Sequence, residues 1–185
     1  MTISPELFYA ILAMDSYNRG YEGGLSDEGD TDRDGLGDTV GTRIGTATVT
    51  NRSSSSLTSP EVAAGFYALS YTLDSGETVI SYRGTNNSWD YLTGWSVGAG
   101  LSFTWTQADE AIAFYSAVTG QSYAAGPAAN TILTGHSLGG GLAQLLSMLS
   151  GTSATIFDHM PGGLAALIIA ANDEYTGNAP KLGLD

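Results

Sequence analysis

A short glycine-rich turn between a strand and a helix constrains this chain more than any other feature. Residues 131–134 are typical of a buried strand, and Gly135-His136-Ser137-Leu138-Gly139 follows at once. Apolar residues at helical spacing then continue to about Gly151. A sharp turn around Gly-x-Ser-x-Gly strains the serine backbone, and glycine is needed two residues before and after it to avoid a collision. We therefore predict a nucleophile elbow that presents Ser137 at the carboxyl end of a sheet.

The predicted elbow would support nucleophilic catalysis. The helix that begins after Ser137 brings the positive end of its dipole to this position, and the backbone N–H of Leu138 would donate a hydrogen bond to an oxyanion. A glycine-rich turn with an incidental serine would also explain the five residues. The strand before them and the helix after them favour the elbow.

Two segments of the chain resemble the class 3 lipase family of α/β-hydrolases, which includes bacterial relatives of the fungal triacylglycerol lipases. One segment surrounds Ser137, and the other is VISYRGT at residues 79–85, followed by Trp89. In that family the hydroxyl residue after the glycine supplies half of the oxyanion hole. The resemblance implies that Thr85 and Leu138 hold the oxyanion and that Trp89 contributes to the substrate pocket. An ordinary strand end with a turn would also account for residues 83–85 alone.

A serine nucleophile needs a general base and a group that orients this base. The chain has two histidines. His136 lies inside the elbow, where its side chain is expected to point away from the Ser137 hydroxyl, so we assign it a structural role. His159 follows a predicted strand at residues 154–157, at the sheet edge where the elbow emerges, and is the candidate base.

The 48 residues after Ser137 do not provide the acid and histidine that the resembled family places on two further strands. Three hypotheses follow from this difference. The chain is the N-terminal piece of a longer hydrolase, or it is a non-catalytic relative, or it uses a rearranged site with His159.

An acidic segment rich in glycine occupies residues 20–41 and is expected to be a surface loop or insertion. Asp30, Asp32, Asp34 and Asp38 alternate as in the first half of a calcium loop. The glutamate that closes an EF-hand loop is absent, because Gly41 occupies that place. The sequence leaves two interpretations open, a calcium site and a solvated acidic loop. Calcium bound there would order the segment without taking part in catalysis.

Composition excludes several classes of protein. The formal net charge of −13 opposes binding to nucleic acid. The absence of cysteine rules out a thiolate metal site and a cysteine nucleophile. No apolar run reaches the roughly 18 to 20 residues of a transmembrane helix, and no N-terminal signal peptide is visible. Acidity, the absence of cysteine and the Asp-rich segment slightly favour a secreted protein whose export signal lies elsewhere, although each also fits a cytoplasmic one.

These patterns predict one α/β domain over residues 1–185. We expect an α/β-hydrolase-like fold with a mostly parallel central sheet flanked by helices, an N-terminal β-hairpin and a shortened C-terminal part. The predicted elements are a helix from the Ser4 cap to about Tyr17, strands at 42–50, 66–73 and 78–82, a helix capped by Thr106 and ended by Gly120, and a helix at 163–171.

The expected function is that of a carboxylic ester hydrolase, a lipase or esterase, that forms an acyl-enzyme on Ser137. This chemistry requires no metal or organic cofactor. The resemblance makes lipid esters the leading substrate class. The alternative is a non-catalytic hydrolase-fold module whose acidic loop is ordered by calcium. The sequence leaves the oligomeric state open.

Overall fold

A computed structural model of the chain describes residues 3–19, 43–54, 56–84 and 105–159. In chain order the elements are α1 (Pro5–Asn18), β1 (Arg43–Ile44), β2 (Ala47–Arg52), α2 (Pro60–Ala63), β3 (Ala68–Leu73), β4 (Thr78–Tyr82), α3 (Trp105–Thr119), a 3-10 helix (Tyr123–Ala125), β5 (Thr131–His136), α4 (Leu138–Ser150) and β6 (Ala154–Phe157). None of the helices in these described ranges is long and apolar enough to cross a membrane.

The six strands form one sheet in the order β1-β2-β3-β4-β5-β6. The pairs β1-β2, β2-β3 and β3-β4 are antiparallel, whereas β4-β5 and β5-β6 are parallel. The described sheet is therefore mixed, which corrects the expectation of a mostly parallel one. The connections explain the difference, because short turns join β1 to β2 and β3 to β4, while a parallel pair needs a longer crossover such as α4 between β5 and β6.

The hairpin of β3 and β4 confirms the predicted N-terminal β-hairpin. Its turn is closed by a hydrogen bond of 2.8 Å from the Leu73 N–H to the Glu77 carbonyl oxygen. The segment predicted as one strand at residues 42–50 is instead divided into β1 and β2. Gly45 lies between them with φ +54°, a conformation that favours glycine and reverses the chain.

The predicted helix boundaries agree with the structure except at α3. Ser4 caps α1, because its side-chain oxygen accepts from the Leu7 N–H at 3.3 Å. α4 ends at Gly151, which has the left-handed φ of 73° typical of a helix C-terminus. Thr106 is not a cap, because α3 begins at Trp105 and includes it. The helix predicted at 163–171 lies outside the described residues.

Helices pack on both faces of the sheet, because successive strand side chains point to opposite faces. Ile80 and Tyr82 of β4 pack in a buried cluster with residues of α3 and α4. Val79 packs on the opposite face with Leu12 of α1. This layered arrangement is compatible with an α/β-hydrolase-like fold, and it brings the carboxyl ends of β4, β5 and β6 to one edge.

Candidate active site

Ser137 occupies a sharp turn between β5 and α4. Its backbone has φ 55° and ψ −123°, a conformation that residues with a side chain rarely adopt. Its N–H donates to the Phe157 carbonyl oxygen at 3.1 Å, and its own carbonyl oxygen accepts from the Gly141 N–H at 3.1 Å. Leu138 follows as the first residue of α4 and is buried. The serine is therefore held by β6 on one side and by the first turn of α4 on the other.

The two flanking glycines make this turn sterically possible. A Cβ atom added at Gly135 would lie 2.4 Å from the carbonyl group of Gly139. A Cβ atom added at Gly139 would lie 2.0 Å from the carbonyl oxygen of Tyr82. Both distances are far below van der Waals contact, so only glycine fits at either position. The steric requirement predicted from the Gly-x-Ser-x-Gly pattern is thus present in the structure.

The end of β4 packs directly against the turn. A Cβ atom added at Gly84 would lie 2.6 Å from the His136 carbonyl oxygen. The two segments that carry the lipase resemblance are therefore in contact although they are far apart in the sequence. Thr85 and Trp89, the residues predicted to follow as oxyanion donor and pocket residue, lie outside the described residues.

His136 is directed toward α1. Its Nδ1 lies 3.0 Å from the Oη atom of Tyr17, and the two rings meet edge to face with centroids 5.9 Å apart. Burial raises the pKa of Tyr17 to about 12, against the opposing effects of a hydrogen bond from the Gly84 backbone and the nearby Arg83 charge. These contacts fit the structural role that the sequence predicted for His136.

His159 lies beside the first turn of α4. A Cβ atom added at Gly140 would be 2.7 Å from the His159 Cβ, so the histidine packs against the helix start. β6 ends at Phe157, and Asp158 adopts φ 40°, so the chain turns just before His159. The His159 side chain is exposed. This position keeps His159 near the Ser137 turn, and its role as the base stays a prediction.

Charged side chains are buried near the ends of α1 and β4. The Arg83 guanidinium lies 5.1 Å from the centre of the Tyr67 ring, a cation–π contact. Asp15 accepts from Arg19 Nε at 2.5 Å and from the Tyr71 hydroxyl at 2.7 Å, and all three side chains are essentially inaccessible to solvent. Burial and the carboxylate raise the pKa of Tyr71 well above its usual value. These buried contacts were not predicted from the sequence, in which the polar residues at the end of α1 were the available signal.

The structure brings no metal-binding group together in the ranges it describes, where no three histidine or acidic side chains cluster. The acidic segment with Asp30, Asp32, Asp34 and Asp38 lies outside those ranges. The calcium interpretation of that segment therefore stays a prediction.

One family model matches most of the chain. A family model of the Tle-like phospholipase domain, described as phospholipase-like, matches residues 9–182. The chain matches neither a curated protein nor a solved structure significantly. The family match supports a hydrolase of lipid esters of the lipase or phospholipase type and does not single out the class 3 fungal-type lipases. Since the match spans nearly all of its length, this chain belongs to the Tle-like phospholipase domain family.

Proposed function

We propose that this protein hydrolyses a carboxylic ester bond of a phospholipid through an acyl-enzyme on Ser137. The observation that carries the proposal is the strained turn at Ser137, with φ 55° between a strand and a helix and with Gly135 and Gly139 in close contact around it. This geometry is typical of a serine nucleophile. Family membership supports a lipid ester as the substrate.

The first half of the reaction attaches the acyl group to the protein. The Ser137 Oγ attacks the ester carbonyl carbon while His159 accepts the hydroxyl proton, and the carbonyl electron pair moves onto oxygen. The N–H of Leu138, at the positive end of the α4 dipole, and the N–H of Thr85 stabilise this oxyanion. The carbon–oxygen bond of the leaving alcohol then breaks, and the alcohol takes the proton from His159.

The second half releases the fatty acid. Water gives a proton to His159 and attacks the acyl carbonyl, and the same two N–H groups hold the second oxyanion. The bond to Ser137 breaks as the serine oxygen recovers the proton. This sequence consumes one water and requires no cofactor.

The position of His159 supports its assignment as the base. It is the described histidine whose backbone contacts the first turn of α4, whereas His136 Nδ1 is occupied by Tyr17. The Ser137 N–H is bonded to β6 only two residues before His159. The same hydrogen bond therefore couples the backbones of nucleophile and base.

Hydrolysis of a diacyl phospholipid and of p-nitrophenyl butyrate tests the proposal. Ser137→Ala is expected to lower both rates by at least about 10³-fold and to abolish labelling by a fluorophosphonate, because the nucleophile is lost. His159→Ala is expected to lower the rates by a similar factor. Ser147→Ala, in the last turn of α4, is the matched control and should leave the rates unchanged.

The outcomes separate the parts of the proposal. Activity that survives Ser137→Ala excludes the acyl-enzyme. Activity lost with Ser137→Ala and retained with His159→Ala places the base elsewhere. We expect the rate to persist in EDTA, since the mechanism uses no metal. A wild-type chain with no hydrolysis and no label, but with melting that depends on calcium, would support the non-catalytic module instead.

A further inference from the structure

The hydroxyl of Tyr17 contacts both motif segments from a third element. Tyr17 lies in the last turn of α1 and is 9% exposed. Its Oη lies 3.2 Å from the His136 carbonyl oxygen and 3.0 Å from His136 Nδ1, and the Gly84 backbone also hydrogen-bonds to it. One oxygen atom thus links the end of β4 with the residue immediately before Ser137.

The three contacts match the bonding capacity of a phenol. A tyrosine hydroxyl has one proton to donate and two lone pairs to accept with. The Oη donates to the His136 carbonyl oxygen and accepts from the Gly84 N–H, which leaves one lone pair for His136 Nδ1. The arrangement is complete when His136 Nδ1 carries a proton and donates it. Such a hydroxyl has no proton left to transfer, so its role is to position other groups.

There is little room for this contact to move. A Cβ atom added at Gly84 would lie 2.0 Å from the Tyr17 Oη, so the hydroxyl sits directly on the backbone at the β4 end. Burial also raises the pKa of Tyr17 to about 12, so the phenol stays protonated and keeps its donor at neutral pH. The hydroxyl therefore lies against the β4 end with its proton in place at neutral pH.

We propose that the Tyr17 hydroxyl is a positioning group that fixes the Gly84 strand end against the Ser137 elbow and thereby sets the spacing of the two oxyanion donors. The inference rests on the proposed function, because the donors are the Leu138 N–H after the elbow and the Thr85 N–H after Gly84. An oxyanion hole requires both donors to lie at hydrogen-bond distance from one oxygen atom, which forms only during the reaction. An error in their spacing consequently affects turnover more than substrate binding.

Tyr17→Phe tests this role against Tyr115→Phe as the matched control. Tyr115 is also buried, and its hydroxyl lies 2.8 Å from Thr152 Oγ1 on the other face of the sheet. Tyr17→Phe is expected to lower kcat for phospholipid hydrolysis about 10-fold or more with KM changed less than about twofold, and to slow fluorophosphonate labelling of Ser137 in parallel. Tyr115→Phe should lower the melting temperature by a comparable amount and leave kcat and labelling unchanged.

The outcomes distinguish the inference from the function it rests on. Equal kcat in the Tyr17→Phe and Tyr115→Phe variants overturns the positioning role while the proposed function stands. A wild-type chain that neither hydrolyses ester nor accepts the label at Ser137 overturns both.

A second measurement does not depend on activity. Nitrogen NMR of the folded chain should show His136 protonated at Nδ1, and Tyr17→Phe should accelerate hydrogen exchange at the Gly84 amide. A His136 ring protonated only at Nε2, or an unchanged Gly84 exchange rate, contradicts the hydrogen bonds from which the role is inferred.

Discussion

The contact between Gly140 and His159 is the point where the helix start meets the candidate base. A Cβ atom at position 140 would lie 2.7 Å from the His159 Cβ and 3.2 Å from its Cα. Rotation of the imidazole moves neither the Cα nor the Cβ atom of His159, so it cannot relieve a clash between these atoms and a Cβ atom at position 140. The absence of a side chain at Gly140 is what allows His159 to lie this close to the Ser137 turn.

Gly140→Ala is expected to lower kcat about 10-fold or more by displacing His159, because the added Cβ would lie 2.7 Å from the His159 Cβ and 3.1 Å from the Gly135 carbonyl oxygen. Alanine gains about 1 kcal/mol over glycine within a helix, which offsets the cost of moving the segment that carries His159. The measurement compares kcat and melting temperature for Gly140→Ala, His159→Ala and the double variant. If Gly140 acts through His159, the double variant is no slower than His159→Ala alone. If the fold-reductions in kcat of the two single variants multiply in the double variant, the two residues act independently.

At the scale of elements, α1 is attached to the sheet by polar as well as apolar contacts. The Ser81 hydroxyl donates to the Leu12 carbonyl oxygen at 3.1 Å, and Asp15 joins Arg19 to the Tyr71 hydroxyl in the interior. Because α1 also supplies Tyr17, the strength of this attachment determines how firmly the elbow is supported.

Asp15→Ala is expected to lower the free energy of unfolding by about 3–5 kcal/mol, since it removes one partner of a buried ion pair. Asp74→Ala is the control, because its ion pair with Arg43 is more than half exposed and should contribute less than about 1 kcal/mol. Tyr71→Phe, which keeps the charges and loses one hydrogen bond to a carboxylate, should cost about 1.5–3 kcal/mol. Urea unfolding measures all three. If Asp15→Ala and Asp74→Ala lower the free energy of unfolding equally, burial does not make the Asp15 ion pair more stabilising than the exposed one.

Elements whose signals are local could be predicted from the sequence. The Ser4 cap, the turn after Leu73 and the Gly-x-Ser-x-Gly pattern each act over a few residues, and α1, the β3-β4 hairpin and the elbow turn follow them. The mixed sheet could not be deduced in the same way, because strand pairing depends on connections between distant segments. Tyr17 was missed for the same reason, since its partner His136 lies 119 residues further along the chain.

For the molecule as a whole, a shared feature is a set of tyrosines that are buried or, in the case of Tyr9, half-buried. The pKa is raised for Tyr9, Tyr17, Tyr67, Tyr71 and Tyr82, with burial as the largest cause in each. Tyr9 also donates to a Glu77 carboxylate oxygen at 2.8 Å, which further favours the neutral phenol. The folded state therefore keeps these protons at a pH where the unfolded chain loses them.

This difference predicts a loss of stability at alkaline pH. Below the usual tyrosine pKa of 10 both states are protonated and the stabilisation is fully present. The raised pKa values of Tyr9 and Tyr17 set a range from pH 10 to about 12. In this range the unfolded state binds fewer protons than the folded state, so the free energy of unfolding falls as pH rises. Urea unfolding across this range measures the slope. Tyr9→Phe and Tyr17→Phe should each make it shallower, and a slope that neither variant changes would assign the alkaline loss to other groups.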